Sequence, residues 1–445
     1  MDKAKKILWI CLGIKLVLAV FLPFFFDENY YWFWSHNLRL SYFDHPPMVG
    51  VLFWFGRIFE DLGGAARWPG VVLSQATICI WLLVLQKFTD KKEHLVHFAL
   101  LMSFWPIFGF GAVVITPDTP VFFFWALSSL WLLKSLDQPS AINYSLFGLF
   151  LGLGGASKYH MVLALLAFLI YICWGKKWKS IEWKYLPLAV IAALLAISPV
   201  LIWNYQNNWD SFLFQLNHGL GAKSWKPIWT IDYVWTQIVF VFPAVIYIAF
   251  RNFNKKYLFL FVLAAFPMLF FLLTSFKGRV EGNWPMVAYP AIGMLAVLQS
   301  TDFKKWFKYA VTFWVLIFVV VYSNAFYYWL PVEQTKTKFR EFNEYEDLLV
   351  VARSYTPAYA DSYQMASYLS YKLKTDILKL KSYNRKDFYD YLPESKPSEE
   401  RFYFLVETQV HKLPDYMKNY KITLKVPINA RYQVIEFTRD DSKTN

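Results

Sequence analysis

Mostly apolar stretches near the roughly 20 residues that a helix needs to cross a bilayer recur along the chain, about eleven in all. They cover 7–26, 69–88, 95–114, 119–135, 141–157, 160–175, 185–203, 234–250, 257–275, 285–299 and 307–330. A chain with this many apolar runs has few options other than a polytopic α-helical membrane protein. The balance of side chains agrees: 57% are hydrophobic and only 17% charged, against roughly 25% charged in a water-soluble domain. An ordinary soluble enzyme is thereby excluded. Several runs are interrupted by Pro or Gly, and non-helical backbone there must be buried in protein or face a water-filled cavity.

The net charge of +13 does not point to nucleic acid, because a basic chain this apolar distributes its Lys and Arg by the positive-inside rule. With the N-terminus inside, the inner segments hold Lys3, Lys5 and Lys6; Lys87, Lys91 and Lys92; Lys134; Lys176, Lys177, Lys179 and Lys184; Arg251, Lys255 and Lys256; and Lys304, Lys305 and Lys308. The outer segments up to residue 330 hold Arg39, Arg57, Arg67, Lys158, Lys223, Lys226, Lys277 and Arg279. This asymmetry sets the orientation. The start, Met1 to Lys6 followed by an apolar stretch, reads as an uncleaved first helix, since no small-residue cleavage site follows. The segment 46–62 is too short to cross comfortably and would invert every later loop, so it reads as a helix on the outer surface.

After Leu330-Pro331 the character changes, and the chain divides into a membrane domain, 1–333, and a small soluble α/β domain, 334–445. An odd number of spans places that domain outside, in the periplasm of a bacterial inner membrane. Residues 360–369 have helical spacing; 401–406 and 432–437 read as strands. Cys11, Cys79 and Cys173 each sit in apolar runs, so neither a disulfide framework nor a zinc-type spacing exists.

The chemistry is expected among ionisable groups at the outer membrane edge. These are Asp27-Glu28, Asp44-His45-Pro46-Pro47, Thr116-Pro117-Asp118-Thr119-Pro120, Ser157-Lys158-Tyr159-His160, Gln215-Leu216-Asn217-His218 and Lys277-Gly278-Arg279-Val280-Glu281-Gly282-Asn283-Trp284. Taken singly, such residues are often interfacial loop groups with snorkelling side chains. Six on one face point to one polar site. Asp118 lies in a loop stiffened by two prolines. Asp27-Glu28 abuts an aromatic segment, Tyr30, Tyr31, Trp32 and Trp34, expected to lie along the interface.

The ordered set Asp27-Glu28-Asn29-Tyr30-Tyr31, Leu40-Ser41-Tyr42-Phe43-Asp44-His45-Pro46-Pro47 and Thr116-Pro117-Asp118-Thr119-Pro120 resembles glycosyltransferase family 39 of the GT-C superfamily. That family holds the bacterial relatives of protein O-mannosyltransferases and of the lipid A aminoarabinose transferase. Ser157 to His160, Trp203 to Trp209, Phe214 to Gly219, Asn283-Trp284-Pro285 and Ala360 to Ala366 extend the likeness over nearly the whole chain. The resemblance implies a GT-C fold with outer juxtamembrane helices, a polyprenyl-phosphate sugar donor and inverting transfer. It maps the family's catalytic acidic pair onto Asp27 and Glu28, and a further acidic residue onto Asp118. In the aminoarabinose branch a carboxylate and a later loop His can hold a divalent metal ion, and Asp44 and His218 occupy similar places. His45 stands where that branch has Lys.

A sugar phosphate leaves without a general acid if positive charge offsets what develops on the phosphate. Lys158 and Arg279 are the candidate cations, with His218, or a metal on Asp44 and His218, as further help. The attacking hydroxyl or amine of the acceptor must lose its proton to a carboxylate, Asp27 first and Asp118 second. Tyr31, His45, Lys158, Tyr159 and Arg279 are the expected contacts to sugar and phosphate. The acceptor is a lipid A-like glycolipid, a polysaccharide or a protein. A transporter or flippase of lipid-linked sugars is the rival reading. Such proteins usually carry internal repeats and midplane charges, whereas these charges sit at one face.

Overall fold

Prolines open many of the helices, where a missing N–H costs nothing and a fixed φ suits the first turn. In chain order the helices are α1 (Asp2–Phe21), α2 (Phe26–His36), α3 (Met48–Gly56), α4 (Trp68–Leu85), α5 (Lys92–Phe104), α6 (Asp118–Asp137), α7 (Ala141–Gly155), α8 (Met161–Trp174) and α9 (Leu186–Gln206). They continue as α10 (Asp210–Leu220), α11 (Pro227–Val241), α12 (Pro243–Phe250), α13 (Leu258–Thr274), α14 (Tyr289–Gln299), α15 (Phe303–Tyr327), α16 (Glu346–Ser354) and α17 (Tyr363–Leu373). A proline lies in the first turn of α4, α9, α11, α12 and α14. The structure, a computed structural model, describes residues 2–220, 224–327, 329–331 and 338–440, with backbone alone for 218–220, 321, 322, 325, 326, 338 and 339.

The chain forms two compact units: Met1–Leu22 with Leu40–Ser323, and Pro23–Arg39 with Asn324–Asn445. In the first, α4, α6, α7 and α9 pack in sequence, while α14 packs against α12, α13 and α5. Small residues allow the closest approach: a side chain at Gly148 or Gly152 of α7 would strike the backbone of Ala189 or Ala193 in α9. Among the described residues four segments are long and apolar enough to cross a membrane: Gly63–Leu85, Asp118–Asp137, Trp183–Gln206 and Lys255–Thr274. Only 17% of the apolar window in Trp183–Gln206 is buried. Leu188, Val190, Ile191, Leu194 and Leu195 instead lie exposed, a face that lipid tolerates and water does not.

The other expected spans are shorter or broken. The run 95–114 ends as helix at Phe104; Trp105 and Pro106 turn the chain, and Gly109 and Gly111 donate back to their carbonyls. The run 234–250 splits at Phe242-Pro243, where α11 and α12 meet at 87°. The expected outer helix in 46–62 is α3 and a short continuation to Phe59. The turns at 105–109 and the short 3-10 helix Phe110–Val113 are held from inside the bundle. Lys15 of α1, fully buried, donates to the Phe108 carbonyl at 2.7 Å and to Gln75 Oε1 at 3.0 Å, and Gln75 donates to the Leu8 carbonyl. Its charge is tolerable because it satisfies a backbone that helix cannot.

The second unit carries a five-stranded sheet built from β1 (Ala358–Ala360), β2 (Leu378–Lys379), β3 (Arg401–Glu407), β4 (Tyr420–Pro427) and β5 (Tyr432–Arg439). The order is β2-β1-β3-β5-β4, with β1 parallel to β2 and β3 and the rest antiparallel. Phe402, Phe404 and Val406 of β3 alternate inward against Ile435 and Phe437 of β5. β3, β5 and α17 are the expected elements; β1 and β2 are too short to show a period, and β4, whose Tyr420, Ile422, Leu424 and Val426 alternate with polar residues, went unread. The aromatic segment after Asp27 was expected along the membrane interface, but its rings are buried in this unit. Phe24 stacks on Tyr371 (4.6 Å), Phe26 on Tyr345 (4.9 Å) and Phe33 on Tyr389 (4.7 Å). The Phe388 N–H donates to Tyr30 Oη at 2.7 Å.

Asp361, just past β1, accepts from the Glu407 N–H at 3.0 Å, and burial pushes its carboxyl up from the usual 3.8 to about 6. A group that holds its proton more tightly when folded weakens folding as it ionises. Its contribution is therefore best below about pH 4, falls between about pH 4 and 6 and is level above. A rise of that size corresponds to about 3 kcal/mol. Asp361→Asn keeps the acceptor for Glu407 and is expected to raise the thermal midpoint at pH 7 and to erase this acid-side gain. A midpoint that drops at pH 7 would mean that the ionised carboxylate stabilises the unit.

Candidate active site

In the first unit candidate residues gather where α6 begins. Thr116 and Thr119 exchange bonds across the Pro117 turn, and the Thr116 hydroxyl accepts from the Asp118 N–H. Asp118 is thereby fixed at the positive end of a 20-residue helix. Lys158 lies just past the end of α7, with its N–H on the Gly154 carbonyl. Its ammonium reaches Asp118 Oδ1 at 2.7 Å. Asn283 Nδ2 donates to Asp118 Oδ2 at 2.6 Å. Both members of the ion pair are buried, so the amide matters: it satisfies the second carboxylate oxygen away from water. Asp118 and Asn283 also line a cavity of about 280 Å³, walled by Phe108, Gly111, Phe122 and Met286. The 105–113 segment that Lys15 holds thus forms part of the wall.

Around this pair the other outer segments meet. His160 lies within electrostatic reach of Lys158 and of His45. The Met48 N–H donates to the Ala156 carbonyl, which ties the start of α3 to the end of α7. Tyr159 Oη shares a bond with Ser211 Oγ at 2.8 Å and accepts from Asn204 Nδ2 at 3.3 Å. Tyr159 therefore clamps α10 against α9. Asp44 is buried, and its carbonyl accepts from Gln215 Nε2 of α10. Arg279 does not join the pair: it is exposed, with Nε 3.7 Å from Glu281 Oε1. Asn283, four residues on, is the member of that loop that reaches Asp118. Its place in the Asn283-Trp284-Pro285 motif was the available signal.

The expected metal ligands are Asp44 and His218. The His218 side chain lies outside the described residues, and among these no three His, Cys, Asp or Glu side chains gather as a metal site.

In the second unit Asp27 and Glu28 occupy the first turn of α2. Their roles differ. Glu28 is fully buried, and its Oε2 accepts from the Phe25 N–H at 3.2 Å, which satisfies a backbone donor that the helix leaves open. Asp27 is partly exposed, and Tyr363 Oη donates to its Oδ1 at 3.2 Å. Tyr31 is buried against Trp34, with ring centroids 5.1 Å apart. Tyr363 lies in the tail motif Ala360 to Ala366, but nothing local in that motif marks it as a partner of Asp27.

Residues 44–203 match the family model described as dolichyl-phosphate-mannose-protein mannosyltransferase. The chain is 24% identical over 330 residues to the lipid A galacturonosyltransferase RgtD of Rhizobium johnstonii, covering 69% of this chain and 63% of that protein. It is 24% identical over 201 residues to the lipopolysaccharide core galacturonosyltransferase RgtA of the same organism, covering 43% of this chain and 39% of that one. The matched parts thus span less than two thirds of either relative. The fold matches the crystal structure of ArnT from Cupriavidus metallidurans bound to undecaprenyl phosphate, with TM-score 0.65 at 13% identity and 97% of each chain covered. The apo form of that protein matches with TM-score 0.65 at 12% identity, covering 96% of this chain and 97% of that one. The ordered motifs, the family model over residues 44–203 and the fold point the same way: the chain has the fold of the ArnT structures and resembles glycosyltransferase family 39.

Proposed function

We propose that this protein is an inverting glycosyltransferase that moves a sugar from a polyprenyl-phosphate carrier to a lipid A-like glycolipid at the periplasmic face of a bacterial inner membrane. The observation that carries the reading is the buried pair of Lys158 and Asp118 with Asn283 on the second oxygen. An ammonium has three donors, and among the described residues one of them is taken, by Asp118. The remaining donors suit an anionic phosphate, and stabilise the charge that grows on it as the sugar departs. The two galacturonosyltransferases act, by their names, on lipid A and on the lipopolysaccharide core, which supports a glycolipid acceptor over a protein or polysaccharide.

In this mechanism the acceptor oxygen attacks the anomeric carbon. The bond from that carbon to the carrier phosphate breaks, and its electron pair stays with the phosphate beside Lys158. The acceptor proton passes to Asp27. A single displacement inverts the anomeric centre.

The test uses the full-length protein in detergent with undecaprenyl-phosphate-linked sugar and lipid A, and follows the mass of the acceptor. One added sugar is expected, without membrane potential or sidedness, which a transporter would require. A parallel reaction with chelator tests the proposed ion on Asp44 and His218. An acceptor of unchanged mass would overturn the reading.

A further inference from the structure

Asp27 is held by a residue from the far end of the chain. Tyr363 is the first residue of α17, placed directly after β1 and fixed there by Ser362, whose hydroxyl accepts from the Met365 N–H. Its own hydroxyl donates to Asp27 Oδ1 at 3.2 Å. Its ring lies 4.5 Å from that of Tyr30, three residues beyond Asp27 on the same face of α2. On the Tyr363 ring rests the Arg385 guanidinium, 4.6 Å from the centroid. That cation is not left to a loose loop. The Arg385 carbonyl accepts from Lys379 Nζ at 2.7 Å, and the same buried ammonium binds Asp387 at 2.7 Å and Asp390 at 2.9 Å. A buried ionic cluster therefore sets the arginine, the arginine sits over the tyrosine, and the tyrosine holds the carboxylate.

We propose that Tyr363 is a positioning residue for Asp27 and that Arg385 tunes its hydroxyl; this rests on the functional reading above. A phenol bound at Oδ1 fixes the carboxylate rotamer and turns Oδ2 toward the proton to be taken. A cation over the ring face draws on its electron density and makes the hydroxyl a stronger donor. In the transfer step the new bond joins the acceptor oxygen to the anomeric carbon, and the bond to the carrier phosphate breaks with its pair on the phosphate. The acceptor proton goes to Asp27 Oδ2, while Tyr363 keeps its own.

The plain alternative is that Tyr363 merely packs α17 on α2. Tyr363→Phe keeps the ring, so the two readings separate in kinetics on the full-length protein with undecaprenyl-phosphate-linked sugar and lipid A. Positioning predicts kcat down about tenfold with both KM values within about twofold and the thermal midpoint lowered by no more than the loss of one hydrogen bond. Arg385→Met is expected to lower kcat about threefold, and Arg385→Lys to restore most of it. In an Asp27→Asn background Tyr363→Phe is expected to cost nothing further. A thermal cycle of Asp27→Ala and Tyr363→Phe is expected to give non-additive midpoints, whatever the activity. A wild-type kcat in Tyr363→Phe, or additive midpoints, would overturn this inference while wild-type transfer leaves the function standing. A wild-type protein that transfers nothing overturns the functional reading, and this role of Tyr363 with it.

Discussion

Asp27→Asn is expected to lower sugar transfer by a factor of about 10² to 10⁴, the usual contribution of a positioned acid or base. The substitution is nearly isosteric. The introduced amide oxygen still accepts from the Tyr363 hydroxyl, which in the native protein reaches Asp27 Oδ1 at 3.2 Å. The cap of α2 is untouched, because Glu28 supplies it through the Phe25 N–H. Membrane insertion, the thermal midpoint and the KM for the lipid-linked donor should therefore stay near wild type, and only the proton acceptor is lost. Glu28→Gln is the contrast: it keeps an acceptor for the same N–H and should retain most of the transfer. Full activity in Asp27→Asn would remove this carboxylate from the mechanism.

The second large effect is expected at Lys158, on stability and activity together. Lys158→Met leaves the Asp118 carboxylate buried with Asn283 as its remaining side-chain partner. Breaking one side of a buried pair costs about 3–5 kcal/mol, because the other charge stays behind. Asp118→Asn strands the ammonium in the same way. The double variant removes both charges and should recover most of the lost stability, since a buried pair replaced by uncharged groups is often neutral. It should not recover transfer. Without the ammonium the departing phosphate loses a donor, a loss of about 10² to 10³ in rate by comparison with single donors to developing oxyanions. Thermal melting and transfer rates on the two single variants and the double variant separate these effects. Restored folding together with restored transfer would show that the pair serves only the fold.

Much of the frame was legible before any coordinates. A helix that must hide its backbone from lipid announces itself as a long apolar run, so α4, α6, α9 and α13 stand where those runs lie. Two strands of alternating aromatic and aliphatic residues, β3 and β5, were equally plain. Local signals fail where the chain is short or strained. β1 and β2 have three and two residues, too few to show a period. Phe242, with φ of 70°, breaks a run whose composition reads as one continuous span. Lys15 went unnoticed inside an apolar run, because its partners, Gln75 and the Phe108 carbonyl, lie on other elements.

The site divides in the same way. The sequence by itself supplied the candidates: Asp27, Asp118 and Lys158 are ionisable groups at the ends of apolar runs, where a charge is costly without a purpose. Only the tertiary structure decided which groups became partners. It paired Lys158 with Asp118, gave the second carboxylate oxygen to Asn283 instead of drawing in Arg279, and assigned Glu28 to a helix cap. It also placed α2 in the same compact unit as the tail, where Tyr363 meets Asp27 across 336 residues of chain. Hydropathy and period act over one or two turns of a helix, whereas a hydrogen bond depends on where whole elements come to rest.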